Sequence, residues 1–195
     1  RILTELSARL REDSPSVRTA MEAIEQLDLR NAAARLGLDT RGVVPELLDE
    51  PRAKLEDARH PLLLLSGTDV VGNSIEIQSG RGLVISGPNA GGKTVVLKTL
   101  GLCALMVRCG LPLPVAEGSA LGLFDTVLCD MGDGQSTSAN LSTFSAHVRN
   151  LASLLACTNP RALVLLDEVA TGTDPAEGAA LACALVDAFC ARGAA

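Results

Sequence analysis

Three runs of this sequence predict an α/β fold built around a phosphate-binding loop. Gly82-Leu83-Val84-Ile85-Ser86 is a short apolar, β-branched run that reads as a buried parallel strand. It leads straight into Gly87-Pro88-Asn89-Ala90-Gly91-Gly92-Lys93-Thr94, which fits the pattern Gly-x-x-x-x-Gly-Lys-[Ser/Thr]. Further along, Leu163-Val164-Leu165-Leu166-Asp167-Glu168 is a second dry run, closing on two acids. Strand, loop, helix and acid-tipped strand, in that order, are the parts of a P-loop NTPase, here preceded by a helical segment.

The spacing within the loop has a physical reason. Glycines let the backbone form a nest whose N–H groups converge on a phosphate, where a side chain would collide. The loop then enters a helix whose orphan N–H groups and partial positive charge favour the same anion. Gly87, Pro88, Asn89, Ala90, Gly91, Gly92, Lys93 and Thr94 are therefore the candidate nucleotide-binding residues. Lys93 is placed to reach the β- and γ-oxygens, and the Thr94 hydroxyl to ligate the Mg²⁺ that accompanies them. A chance glycine-rich turn would lack these flanks. After the loop, Val95, Val96, Leu97, Leu100, Leu102, Cys103, Leu105 and Met106 form a mostly apolar helix without proline.

The remaining elements follow from period and punctuation. Ile2, Leu3, Leu6 and Leu10 share one helical face. Ser14-Pro15 has the form of an N-cap with proline at the first helical position. Val17, Met21, Ile24 and Leu27 continue in a helix towards Arg35, so an antiparallel helix pair with a charged outer face is expected. From Gly37 to Arg59 the chain reads as loop, broken by Gly42, Pro45 and Pro51. Residues 62–65, 75–77 and 127–130 are candidate strands, and residues 142–156 and 175–191 helices.

Composition sets outer bounds. With 195 residues, 47% of them hydrophobic, the chain can bury a core for one domain plus a helical appendage. A net charge of −6 excludes an overall basic field that would draw this stretch to nucleic acid or anionic membrane. No apolar run reaches the ~18–20 residues that span a bilayer. The chain opens without an initiator Met or a basic-then-apolar leader and closes without a final element, so a fragment of a longer cytoplasmic protein is expected. Cys103, Cys109, Cys129, Cys157, Cys183 and Cys190 lie singly in apolar segments, which favours small core residues in a reducing compartment over a zinc site.

Asp167, emerging beside the phosphate loop, is the candidate Mg²⁺ ligand, and Glu168 the group that orients or deprotonates water. A strand that merely ends in two solvated acids is the alternative, weakened by the loop upstream. Ala170-Thr171-Gly172-Thr173-Asp174-Pro175 suits a helix start capped by Asp174, and equally a turn that crosses a dimer interface in ABC-class ATPases. Between these sites lie Gly132-Asp133-Gly134-Gln135-Ser136 and Leu141-Ser142-Thr143-Phe144-Ser145-Ala146-His147. The transporter signature Leu-Ser-Gly-Gly-Gln is absent. Ser142 or Thr143 stands at a helix N-terminus, as an N-cap or as an anion-facing hydroxyl.

Together these segments resemble the ATPase domain of the MutS family. The resemblance is carried by Ala58-Arg59-His60-Pro61, by Ile85-Ser86 with the loop to Thr94, by Leu141-Ser142-Thr143-Phe144, and by Leu166-Asp167-Glu168-Val169 through Pro175. The Gly-Thr-Asp-Pro turn, with Asp130-Met131-Gly132-Asp133-Gly134-Gln135-Ser136, is similar to the second bacterial branch, the MutS-two type, and not to classical mismatch-repair MutS. Residues before Ala58 resemble the end of lever helices, which divides the chain into lever (1–40), linker (41–57) and ATPase domain (58–195).

The resemblance implies an ABC-class ATPase that uses ATP and Mg²⁺ and forms a homodimer with composite sites. Gly87 to Thr94 would bind the triphosphate, Thr94 and Asp167 the metal, and Glu168 would activate water. Ser142 of one subunit would cap the γ-phosphate held by the other. Asn89 resembles the family's Pro-Asn loop residue, and Gln135 a Mg²⁺- or water-sensing residue. The family's histidine, on a strand after the last helix, would lie beyond Ala195. No aromatic is available to stack on adenine, so the base is expected against aliphatics near Val70 or Val71. Members of the branch are associated with branched DNA, suppression of recombination and rescue of collided ribosomes, and their nuclease activity with an Smr domain that this chain does not contain. ATP hydrolysis that moves a DNA- or ribosome-binding clamp is the implied function. A nucleotide-dependent dimerisation switch with little turnover is the alternative. The missing transporter signature and the helical prelude count against a transporter subunit or a chromosome-structuring ATPase.

Overall fold

In the computed structural model, which describes residues 2–88, 91–131, 140–169 and 174–195 (of residues 6, 9 and 140–146 the backbone alone), the chain has a mixed α/β fold. The elements run α1 (Ile2–Thr40), β1 (Glu46–Leu48), β2 (Arg52–Ala58), α2 (Pro61–Leu65), β3 (Asn73–Gln78) and α3 (Lys93–Arg108). There follow β4 (Ala120–Gly122), β5 (Thr126–Asp130), α4 (Asn140–Cys157), β6 (Ala162–Leu166) and α5 (Pro175–Ala191). One sheet has the order β1-β4-β2-β3, and β5 and β6 form a second, parallel pair.

Alternating burial explains how the two sheets share one core. In β2, Ala53, Leu55 and Ala58 point inward while Lys54 faces out. In β6, Leu163 and Leu165 face α3, whereas Ala162, Val164 and Leu166 face the cluster built with Phe189 and Leu185 of α5 and Leu154 of α4. Helix α3 thus lies between the sheets, with Leu100, Cys103, Ala104 and Val107 buried against Leu55, Ile75, Leu121 and Phe124. Close approach is possible because residue 101 is glycine: a Cβ there would stand 2.7 Å from Leu165 Cδ1. Each large aliphatic buried in this layer contributes about 1.5–3 kcal/mol.

Several sequence-based expectations are corrected. Residues 82–86 form no strand, and Leu83 and Val84 are 47% and 77% exposed. A strand needs a neighbour. Gly80 N–H donates to Ala194 O, and Ala195 pairs with β6 through Ala162 and Val164. Among the described residues, 82–86 join no strand ladder. Residues 62–65 are helical instead of extended, because His60 Nδ1 accepts from Leu63 N–H at 3.4 Å and Pro61 occupies the first turn. The stretch read as loop contains β1 and β2, whose short alternating signal was obscured by Pro45 and Pro51.

The amino-terminal part is one helix of 39 residues with Pro15 inside it, not an antiparallel pair. Between Leu10 and Val17 there is no glycine to reverse the chain, and proline alone removes one donor without ending the helix. Leu3, Leu10, Val17, Ile24 and Leu27 are consequently exposed. The cysteines also divide. Cys103 is buried and Cys190 half-buried, but Cys109, Cys129, Cys157 and Cys183 are exposed, since apolar flanks do not decide which face a residue takes. Among the described residues no helix is long and apolar enough to cross a membrane.

Leu163, which is fully buried, and Val84 offer a direct contrast. Leu163→Ala is expected to lower unfolding free energy by about 2–5 kcal/mol in urea titrations. Val84→Ala is expected to change it by less than about 0.5 kcal/mol. The opposite ranking would restore the buried-strand reading of residues 82–86.

Candidate functional site

The carboxyl ends of β5 and β6 and the amino end of α3 meet at one place. Parallel pairing sets Asp130 opposite Leu166, and the next N–H, of Asp167, donates to Asp130 O at 2.9 Å. The chain then turns sharply, with Glu168 at φ 49°, a left-handed conformation uncommon for a side-chain-bearing residue. Asp167 stays half-buried at the sheet end while Glu168 is exposed.

Facing them, Gly92 caps α3 at φ 79° and ψ 14°, where glycine is at ease and a Cβ would be strained. Lys93 and Thr94 form the first turn of α3. The Thr94 hydroxyl donates to Asp167 Oδ2 at 2.5 Å, joining two positions that lie 73 apart in sequence. Lys93 Nζ donates to Gly87 O at 2.7 Å, so the lysine closes over the loop. Gly91 N–H donates to Pro88 O at 2.9 Å.

Gly87, Pro88, Gly91, Gly92, Lys93, Thr94, Asp167 and Glu168 are thus brought to one end of the fold. Asn89, Ala90 and Gln135 lie outside the described residues, as do residues 170–173. Ser142 is on the first turn of α4, but its side chain is also outside them. Asp174 caps α5, its carboxylate accepting from Ala176 N–H at 2.9 Å with Pro175 following. Val70 is buried and Val71 is 82% exposed, so Val71 is the aliphatic that a base could reach.

The Thr94–Asp167 pair offers oxygen donors from one hydroxyl and one carboxylate. That suits a hard dication which keeps several waters and takes further oxygens from a phosphate. Among the described residues no group of three or more His, Cys, Asp or Glu is placed for a softer metal. Burial pushes the Cys103 thiol up to about 12, which marks it as a packing residue and not a nucleophile. A cleft of about 440 Å³, lined by Arg41, Asp57, Arg59, Asp69 and Val70 among others, includes none of the loop residues.

One cluster was not anticipated. Asp130 Oδ1 accepts from Asn150 Nδ2 at 3.0 Å, and Asp130 Oδ2 lies 3.1 Å from His147 Nδ1, close but outside hydrogen-bond alignment. The available signal was the spacing of His147 and Asn150, which puts them on one helical face.

Comparison with known proteins adds a second line. Residues 83–195 match the profile of MutS domain V. The chain is 47% identical over 195 residues to a protein named Endonuclease MutS2 from Enterococcus faecalis, a match covering 100% of this chain and 24% of that protein. Proteins of the same name from Gemmatimonas aurantiaca (43% over 196 residues, 99% of this chain) and Staphylococcus carnosus (43% over 188 residues, 96% of this chain) are also similar, again over 24% of their length. The chain therefore spans about a quarter of the length of these curated relatives.

His60 supplies a pH test. Burial, and then the positive charge of Lys98, lower its pKa from 6.5. On acidification the unfolded chain therefore takes up the proton first, and stability present above pH 6.5 falls as pH drops below it. Protonation also removes the Nδ1 acceptor that caps α2. His60→Asn keeps a capping acceptor that does not titrate, so its urea midpoint should depend less on pH between about 7 and 5 than that of the wild type. Equal slopes would remove His60 from the acid response.

Proposed function

This chain belongs to the MutS family, as a member of its MutS2 type, and from that premise we propose that it is the ATP-binding and ATP-hydrolysing part of a longer protein. Residues 58–195 form a P-loop NTPase domain of the ABC class, residues 1–40 the end of a helical lever, and residues 41–57 the connection, whose β1 and most of β2 belong to the domain's four-stranded sheet. The observation that carries this reading is the Thr94 hydroxyl on the Asp167 carboxylate, beside a helix start capped by a left-handed glycine.

The loop from Gly87 to Gly92, with Asn89 and Ala90 among its binding residues, presents main-chain N–H groups to the β- and γ-phosphates. Lys93 exchanges Gly87 O for the phosphate oxygens and offsets their charge. Thr94 and Asp167 hold Mg²⁺, with Gln135 sensing the metal or its water. When bound, that ion neutralises charge on the phosphate oxygens. Glu168 orients the attacking water and accepts its proton, a task open to it because it is exposed while Asp167 is engaged. Ser142, at the positive end of α4, caps the γ-phosphate bound by the partner subunit, so the site is complete only in a homodimer. Val71 packs against the base.

The relatives' name includes an endonuclease; any such activity is assigned to a domain outside this chain. So are the contacts with branched DNA or a ribosome, in recombination suppression or ribosome rescue within the cytoplasm. The role given to this chain is to set, through nucleotide state, the geometry of the lever and an attached clamp.

In the full-length protein, Glu168→Ala is expected to retain nucleotide binding and to lose at least about 100-fold in ATP turnover. Unchanged turnover would end the assignment of Glu168. Sedimentation should show ATP shifting the wild type and Glu168→Ala towards dimer, with Ser142→Ala responding much less. If no preparation shifts with ATP, the composite site is wrong.

A further inference from the structure

We propose that Asp130, His147 and Asn150 form a positioning link that holds the amino-terminal half of α4 against the end of the β5–β6 sheet. It thereby sets the angle at which α4 presents Ser142 to the site held by the partner subunit. The inference rests on the nucleotide-site reading above and adds three residues to it.

Asp130 sits between the two places that must be kept in register. Its carbonyl accepts from Asp167 N–H at 2.9 Å, so its backbone is tied to the proposed metal-holding residue. Its carboxylate points the other way, to α4, with Asn150 Nδ2 on Oδ1 at 3.0 Å and His147 Nδ1 3.1 Å from Oδ2. Thr94, Asp167, Asp130 and the two α4 residues thus form a contact chain from α3, across β6 and β5, to α4. The side chains of His147 and Asp130 are only 21% and 12% exposed, so water competes poorly for their contact.

Among the described side chains of α4, the apolar anchors lie in its later turns. Leu151 is buried, and Leu154 and Leu155 pack against the cluster under α5, all on the carboxyl-terminal side of Asn150. Val148, Arg149 and Asn150 are exposed. Without the Asp130 contacts, a displacement of α4 about these later turns would be largest at its first turn. Ser142 lies five positions before His147, roughly 7.5 Å along the axis. Two contacts, one helical turn apart and both on a single carboxylate, fix rotation as well as tilt. An aspartate here favours polar partners, which Asn150 supplies by a hydrogen bond and His147 by a close contact.

The test uses the full-length protein with His147→Phe, which removes the polar contact, and His147→Asn, which keeps a polar nitrogen near the position of Nδ1. His147→Phe is expected to leave KM and the affinity for a fluorescent ATP analogue within about two-fold and to lower kcat at least about tenfold, the signature of misplacement without lost ground-state binding. His147→Asn should recover kcat to within about three-fold of wild type. Amide hydrogen exchange in β6 and α5 should match wild type in both variants, which excludes general unfolding. An unchanged kcat in His147→Phe, equal impairment of the two variants, or loss of analogue binding in step with kcat would each overturn the link. Should the wild type bind the analogue without turnover, the hydrolysis reading fails, and ATP-dependent dimer formation then decides the link. Weakening by about tenfold in His147→Phe with recovery in His147→Asn supports it, and no difference overturns it.

Discussion

Everything proposed for this chain depends on one contact, the Thr94 hydroxyl against the Asp167 carboxylate. It joins the first turn of a helix to the first residue past a strand, and neither group could hold that place alone. Thr94 is set by Gly92, whose left-handed backbone turns the loop into α3. Asp167 is set by the β5–β6 register, which carries its N–H to Asp130 O. The contact is therefore the meeting point of a backbone conformation and a sheet register, not a local accident of two polar side chains.

Behind it lies the packing of α3. The helix is buried on opposite sides, by the four-stranded sheet and by β5–β6, and Gly101 permits the second approach. Parity along β6 does the rest, sending alternate residues to α3 and to the α4–α5 layer. A dry, close-packed interior of this kind transmits small displacements poorly absorbed elsewhere, which is why a polar link at its rim can set the angle of α4. The same rigidity keeps Asp167 half-buried and leaves Glu168 exposed.

Where reading from residues alone departs from the structure, the cause is strand pairing, a helix cap, or a proline that marks no boundary. Residues 82–86 have the composition of a buried strand, but among the described residues they pair with no neighbouring strand. Residues 62–65 have an equally apolar composition and become a helix, because His60 and Pro61 supply a start signal stronger than strand propensity. β2 was missed because seven residues between prolines give too short a period to stand out. The long α1 passes through Pro15, which the cap-like pair Ser14-Pro15 had suggested as a boundary.

The sequence by itself determined the glycine-rich loop, the helix after it, β3, β5, β6, α4 and α5, and the identity of the loop residues and paired acids. These are legible because they rest on local causes: residue chemistry at fixed spacing and periods of two or 3.6. Only the tertiary structure decided that Thr94 touches Asp167, that Asp130 turns its carboxylate to His147 and Asn150, and that the apolar face of α1 stays exposed. Those outcomes depend on sheet register and on which faces meet. No single segment encodes them, because each contact forms between residues whose separation in sequence carries no information about their distance in space.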